Sequence, residues 1–201
     1  MAAEPVVPLV GLTGGMGAGK STALAVLERL GAAVLSTDAV VHDLYAHDTG
    51  LRDAVLARWG SEVAPDGVVD RAAIARHAFA QESERRWLEG LLWPLVGARV
   101  AVWLEQARAR RPAPPAAVVE VPLLFEAGME GLYDATIAIV ADERLRAERA
   151  AGRGHALADE RAARQLSQEE KAQRATYAVR NNRGERELQE DLSGILDKLK
   201  G

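Results

Sequence analysis

An α/β fold built on a five-stranded parallel sheet is what the sequence predicts, on three grounds. Five short apolar runs rich in β-branched residues alternate with segments of helical period, each run is continuous in its apolar character, and the first breaks directly into a glycine-rich turn. Continuous runs suit strands that helices cover on both faces of a parallel sheet, and the alternation implies right-handed βαβ crossovers.

The elements follow in order. Strands are expected at Val6 to Thr13, Ala32 to Thr37, Ala116 to Leu124, Ala135 to Ala141 and Tyr177 to Val179. Helical period runs through Ser21 to Leu30, Asp70 to Arg110, Arg144 to Gly152 and Ala158 to Gln173. Gly31 is placed to end the first helix, and Pro112, Pro114 and Pro115 to close the long helical stretch. Glycine tolerates a left-handed C-cap, and proline cannot continue a helix.

Residues 9–22 read LVGLTGGMGAGKST, a P-loop pattern set between a strand and a helix. Gly14 and Gly19 bracket the variable positions, and Gly15 and Gly17 between them keep the turn tight enough for successive N–H groups to face a phosphate, with Ala18 also a nucleotide-binding position. The helix N-terminus adds its dipole to the same anion. Lys20 is placed to reach the β- and γ-phosphates, the Ser21 hydroxyl is the candidate Mg²⁺ ligand, and Thr22 completes the motif. The expected ligand is a nucleoside triphosphate.

The 201 residues, 48% hydrophobic, suffice for one substantial core with small appended modules. A net charge of -4 and 4% aromatics argue against a general nucleic-acid binder. With no cysteine there is no disulfide framework or thiolate metal site. MAAEPVVPLV lacks a basic n-region, and no signal peptide or apolar stretch of membrane-spanning length is expected. A cytoplasmic protein without membrane or nucleic-acid partners is the expectation, a monomer or a small homo-oligomer.

Between the second and third strands lie roughly eighty residues, far more than a simple crossover needs. Their own apolar positions, among them Leu44, Leu51, Val55, Trp59, Ile74, Trp87, Leu88, Leu91 and Trp103, predict an inserted helical subdomain, with a turn at Pro65 to Gly67 dividing it. A second excursion, from Gly152 to Glu169, is rich in charge and poor in bulky apolar residues, and reads as a mobile flap. The resulting organisation is a core at about 1–38, 112–150 and 170–201, an insertion at about 39–111 and a lid at about 151–169, within a single domain.

Ligands of open α/β sheets bind beyond the carboxyl ends of the strands, where Asp38 stands after the second run. Its carboxylate can orient an acceptor hydroxyl and take its proton, or it can cap a helix starting at Ala39. Glu120 in the third run is either a Mg²⁺ candidate or a solvated strand-end charge, and Glu126 is placed to line the same cleft. Arg144, Arg146, Arg149, Arg153, Arg161 and Arg164 form either a solvated face or a clamp. Arg149 and Arg153 share a helical face, as arginines that stabilise phosphoryl-transfer charge would.

Taken together these residues resemble the dephospho-CoA kinase family across essentially the whole chain. The likeness rests on LTGGMGAGKST, VLSTDAVVHDLY, DGVVDRAAIARHAF, the LLWPLV segment taken as a turn at Pro94, VPLLFE, the pair Arg149 and Arg153, and Gln165 followed by EEKAQRATY to Asn181. It implies a P-loop NTPase core, an inserted substrate-binding helical domain, a lid, and Mg²⁺-assisted transfer of the ATP γ-phosphate to the ribose 3′-hydroxyl of 3′-dephospho-CoA. It further implies that Asp38 is the catalytic base, with Lys20 and Arg149 catalytic beside it and Arg153 on the nucleotide. Thr13, His42, Arg71, Phe79, Pro122, Leu123, Leu124 and Glu126 fall at substrate-cleft positions. Three departures stand out: Trp93 where the family often has histidine, Ser36-Thr37-Asp38 where many members have Asp-Ala-Asp, and Thr176 in place of a common aspartate.

Two other readings compete. A nucleoside monophosphate kinase would need a basic phosphate pocket in the insertion, whereas the Leu-, Val- and Trp-rich segment suits a pantetheine arm. A GTPase-like switch would need an Asn-Lys-x-Asp segment, and Asn181-Asn182-Arg183 lacks both its lysine and its aspartate.

Overall fold

The structure, a computed structural model, describes residues 6–151 and 165–199. By their contacts the residues form two compact units, one of 1–36 with 103–201 and one of 37–102. The first unit contains a sheet of β1 (Leu9–Gly14), β2 (Ala33–Ser36), β3 (Ala117–Glu120), β4 (Ala135–Val140) and β5 (Tyr177–Arg180). All pairs are parallel and the order is β2-β3-β1-β4-β5, so the strand that runs into the P-loop is central. The predicted five-stranded parallel sheet is therefore present. β3 is shorter than its apolar run, because the chain leaves the sheet after Glu120.

Alternation along β1 sorts the core, since successive side chains of a strand face opposite ways. Val10 and Leu12 join Val118, Ile137 and Ile139 against Ala23, Val26 and Leu27 of α1 (Lys20–Arg29). A further helix beyond the expected ones, α8 (Glu185–Leu199), lays Leu188, Leu192, Ile195 and Leu196 onto the same cluster. That i, i+4, i+7, i+8 spacing is an amphipathic stripe. On the other face, Val7, Ala33, Ala107 and Ala117 pack with Leu9, Trp103 and Leu104. The close of α1 follows expectation: Gly31, at φ 91°, lets its N–H reach the Glu28 carbonyl at 2.9 Å while Ala32 N–H reaches Leu27 O at 3.0 Å.

The second unit holds α2 (Thr37–His47), α3 (Thr49–Trp59), α4 (Arg71–Ala80) and α5 (Glu82–Arg108) through Val102. Asp48 and Asp70 cap α3 and α4 by accepting N–H bonds from Leu51 and Ala72, each at 2.8 Å. The predicted helical stretch from Asp70 is two helices, broken where Gln81 is extended. Pro94 corrects a second expectation, because it lies inside α5 and makes no turn. An interior proline costs about 3 kcal/mol, and long flanking turns of good helix formers carry α5 through it. α5 also contains an apolar window long enough to cross a bilayer by composition, contrary to expectation. Its Trp103, Leu104 and Ala107 pack against the sheet.

In the second unit, Trp59 stacks on His77 with centroids 5.3 Å apart and meets Trp87 edge-on at 5.1 Å. Glu84 accepts from Arg58 Nη2 at 2.7 Å and from Trp59 Nε1 at 2.7 Å, and these bonds hold its carboxyl down at about 2. A hollow of about 540 Å³ beside them is lined by groups already bonded to one another, Arg58, Trp59 and Glu84 among them.

Candidate active site

The P-loop leaves the central strand under tight backbone control. Gly19, the residue before α1, has φ 97°, and a Cβ there would meet Asn181 Nδ2 at 2.2 Å. At Gly17, with φ 73°, a Cβ would meet the Arg146 carbonyl oxygen at 2.5 Å. Only glycine fits both the angle and the space.

Two side chains from distant elements brace this loop. Arg146, on α6 (Glu143–Ala151), donates from Nε to the Met16 carbonyl at 2.9 Å, and Asn181, just after β5, donates from Nδ2 to the Ala18 carbonyl at 2.9 Å. In a trans peptide the carbonyl and the following N–H point opposite ways. Tying back Met16 O and Ala18 O therefore aims the Gly17 and Gly19 amides away from the braces, as an anion cradle needs. Gln165 Oε1 accepts the Met16 N–H at 3.2 Å.

The charged groups sit around this cradle. Lys20 Nζ donates to Gly14 O at 3.0 Å and Gly15 O at 3.2 Å, which folds the ammonium over the loop. Ser21 and Thr22 are exposed in the first turn of α1. Arg149 donates from both terminal nitrogens to Asn181 O at 3.2 and 3.3 Å, and with Gly17, Gly19, Thr22, Asn181, Gly184 and Glu185 it borders a cavity of about 260 Å³. The arginine run is thus split in its roles. Arg146 braces the loop, Arg149 borders the cavity, and Arg144, paired with Glu148 at 3.7 Å, is a solvated face. Arg153, Arg161, Arg164 and most of the lid segment lie outside the described residues.

A second loop of the first unit follows β3. Thr13 is buried and donates from Oγ1 to Pro122 O at 3.2 Å. Pro122 and Leu123 are half-exposed, whereas Leu124 is buried beneath them against Gly11. Glu126 pairs with Lys171 of α7 (Gln168–Arg174) at 2.8 Å. Glu120 is buried, so it is no solvated strand-end charge. Thr176 exchanges hydrogen bonds with Thr136: each backbone N–H donates to the other's hydroxyl at 3.0 Å.

In the second unit Asp38 is exposed in the first turn of α2, which begins at Thr37, so it does not cap a helix starting at Ala39. His42, one turn on, accepts from Arg71 Nη1 at Nδ1 over 2.9 Å, which leaves the imidazole proton on Nε2. Phe79 is half-buried on α4. Trp93 is exposed on α5.

The bracing roles of Arg146, Asn181 and Gln165, and the ion pair of Lys171, do not follow from the motifs. Each depends on which elements the sheet order makes neighbours, and a run of charges leaves that open.

Comparison with known proteins agrees with this geometry. A profile of the family described as dephospho-CoA kinase matches residues 8–187. The dephospho-CoA kinase of Anaeromyxobacter dehalogenans is 38% identical over 197 residues, covering 96% of this chain and 92% of that protein. That of Symbiobacterium thermophilum is 37% identical over 180 residues, covering 88% and 74%. A crystal structure of a Thermus thermophilus protein superposes with a TM-score of 0.80 at 32% identity, covering 97% of this chain and 99% of that one. The dephospho-CoA kinase of Campylobacter jejuni, at 19% identity and TM-score 0.63 over 96% and 97%, shares the fold. With a parallel sheet centred on a braced P-loop and a family match over most of its length, the chain belongs to the dephospho-CoA kinase family.

Proposed function

We infer that the protein transfers the γ-phosphoryl group of ATP to the 3′-hydroxyl of the ribose of 3′-dephospho-CoA, giving CoA and ADP, the last step of coenzyme A biosynthesis. The observation that carries this reading is the family match over residues 8–187, together with relatives of that name at 37% and 38% identity. A nucleoside monophosphate kinase is not favoured by those relatives.

The donor half of the reaction belongs to the P-loop. Amides of the 14–19 turn and the α1 N-terminus hold the β- and γ-phosphates, Lys20 leaves its resting carbonyls to follow the migrating charge, and Arg149 stabilises it from the nucleotide side. The cavity beside Gly19, Arg149 and Asn181 takes the nucleoside. Arg153 is assigned to the same nucleotide.

Mg²⁺ suits the residues present. Among the described residues no His, Asp or Glu cluster could hold a resident metal, and the exposed Ser21 hydroxyl suits an ion that arrives on the triphosphate and keeps water in its shell. Held by Ser21, the ion would supply neutralisation of the triphosphate charge.

On the acceptor side, Asp38 orients the 3′-hydroxyl and accepts its proton as the new O–P bond forms. His42, Arg71 and Phe79 hold the substrate on the second unit, with the His42–Arg71 bond presetting both side chains. Within the first unit, Pro122 and Leu123 are assigned to the substrate as well, while buried Thr13 and Leu124 support that loop from beneath and Glu126 anchors it. The inserted 39–111 segment is read as the substrate-binding subdomain, and 151–169 as the lid.

The test is an ADP-release assay offering dephospho-CoA beside AMP, CMP, adenosine and shikimate. Strong preference for dephospho-CoA is expected, and preference for AMP or CMP overturns the reading.

A further inference from the structure

Lys171 is the largest fully buried side chain among the described residues, at 0% exposure, and its charge sits in the interior of the first unit. Its ammonium donates to Glu126 Oε1 at 2.8 Å and to the Pro122 carbonyl at 3.1 Å. Pro122 O also receives the Thr13 hydroxyl at 3.2 Å, from the residue immediately before the P-loop glycine Gly14. Glu126 Oε1 also receives the Leu166 N–H at 2.8 Å, and its other oxygen is buried with no hydrogen-bond partner among the described residues. Next to Leu166, Gln165 is bonded to Met16 inside the P-loop.

These bonds share one geometric consequence. The turn from Pro122 to Glu126 is held at both ends by one ammonium, and the same short segment, 165–171, grips the P-loop. A buried ion pair is a poor source of stability, because well-packed neutral groups of similar volume serve as well or better. Retaining one here, where a single ammonium ties Glu126 to the Pro122 carbonyl, is explained if its directionality matters more than its energy.

We propose that Lys171 is a positioning residue for phosphoryl transfer. It sets the Pro122–Glu126 turn, against which the acceptor rests, in register with the P-loop that holds the donor. The proposal rests on the acceptor-side reading of that turn. Misplacement of a bound reactant by about 1 Å costs about 100-fold in rate, so a loosened turn is read in turnover on the acceptor and not in nucleotide affinity.

The test compares wild type with Lys171→Met, with the double variant Lys171→Met/Glu126→Gln, which removes both buried charges, and with Thr13→Val, which removes the other donor to Pro122 O. Circular dichroism melts, ATP titration calorimetry and steady-state ADP release with dephospho-CoA are measured on each. The double variant is expected to melt near wild type, bind ATP within about threefold and lose about 30- to 100-fold in kcat with a raised KM for the acceptor. Thr13→Val is expected to show the same split, about tenfold in kcat. Turnover and acceptor KM within about twofold of wild type in any folded variant that lacks the Lys171 ammonium overturn the proposal, as does ATP affinity falling in step with kcat. If no Lys171 variant folds, Thr13→Val decides by the same criteria. Failure of the functional reading is separate, since wild type itself would then turn over another acceptor, on which the variants are compared.

Discussion

Asn181 donates its side-chain amide to the Ala18 carbonyl at 2.9 Å, joining residues 163 positions apart, and its own carbonyl receives the Arg149 guanidinium. One residue therefore shapes the phosphate cradle and fixes an arginine that faces the same cavity. Replacing it by leucine leaves Ala18 O without that donor, while the main-chain carbonyl that holds Arg149 stays in place. Asn181→Leu should weaken ATP binding by about tenfold, of the order expected for one lost hydrogen bond with its orphaned partner. Titration calorimetry checks this, and unchanged affinity would remove the brace from the account.

Asp38→Asn preserves size while removing the proton acceptor. ATP affinity should stay within about twofold while kcat falls by about 100- to 10,000-fold, the usual range for a general base. Full turnover in that variant would end the base assignment.

Lys20→Ala should behave differently, because the same ammonium meets the phosphates before and during transfer. Both nucleotide affinity and kcat should drop, kcat by about 100-fold or more. Equal ATP binding and rate in variant and wild type would take the lysine out of the mechanism.

Glu84 supplies a pH signature in the second unit. Hydrogen bonds from Arg58 and Trp59 depress its folded carboxyl to about 2 from the usual 4.5. A depressed carboxylate contributes stability that is complete above the unfolded value and is lost as pH falls through the folded one. The melting-temperature difference between wild type and Glu84→Gln should thus be largest near neutrality and shrink steadily from about pH 4.5 toward pH 2. A constant difference across that range would contradict the arrangement.

The sheet was legible because its strands are continuous apolar runs bounded by glycine and proline, and the donor loop because its backbone chemistry demands glycines at fixed spacing. α8 was equally open to reading: Leu188, Leu192, Ile195 and Leu196 mark a clear stripe. Pro94 misled for a physical reason, since a local breaker in a 27-residue helix is outvoted by the turns around it. Lys171 and Arg146 were hidden differently. Both sit among charges that usually face water, and only the placement of α6 against the P-loop and of α7 beside the sheet turns these two inward.

The strand order has a consequence for synthesis. β1 and its loop are translated before both of its sheet neighbours, β3 and β4, which begin at Ala117 and Ala135, and the Ala18 brace waits for Asn181. Such non-local pairing cannot form until its partners exist. The glycine-rich segment therefore emerges from the ribosome well before the residues that mould it, and the nascent chain completes its grip on nucleotide only once β3, β4 and Asn181 have followed.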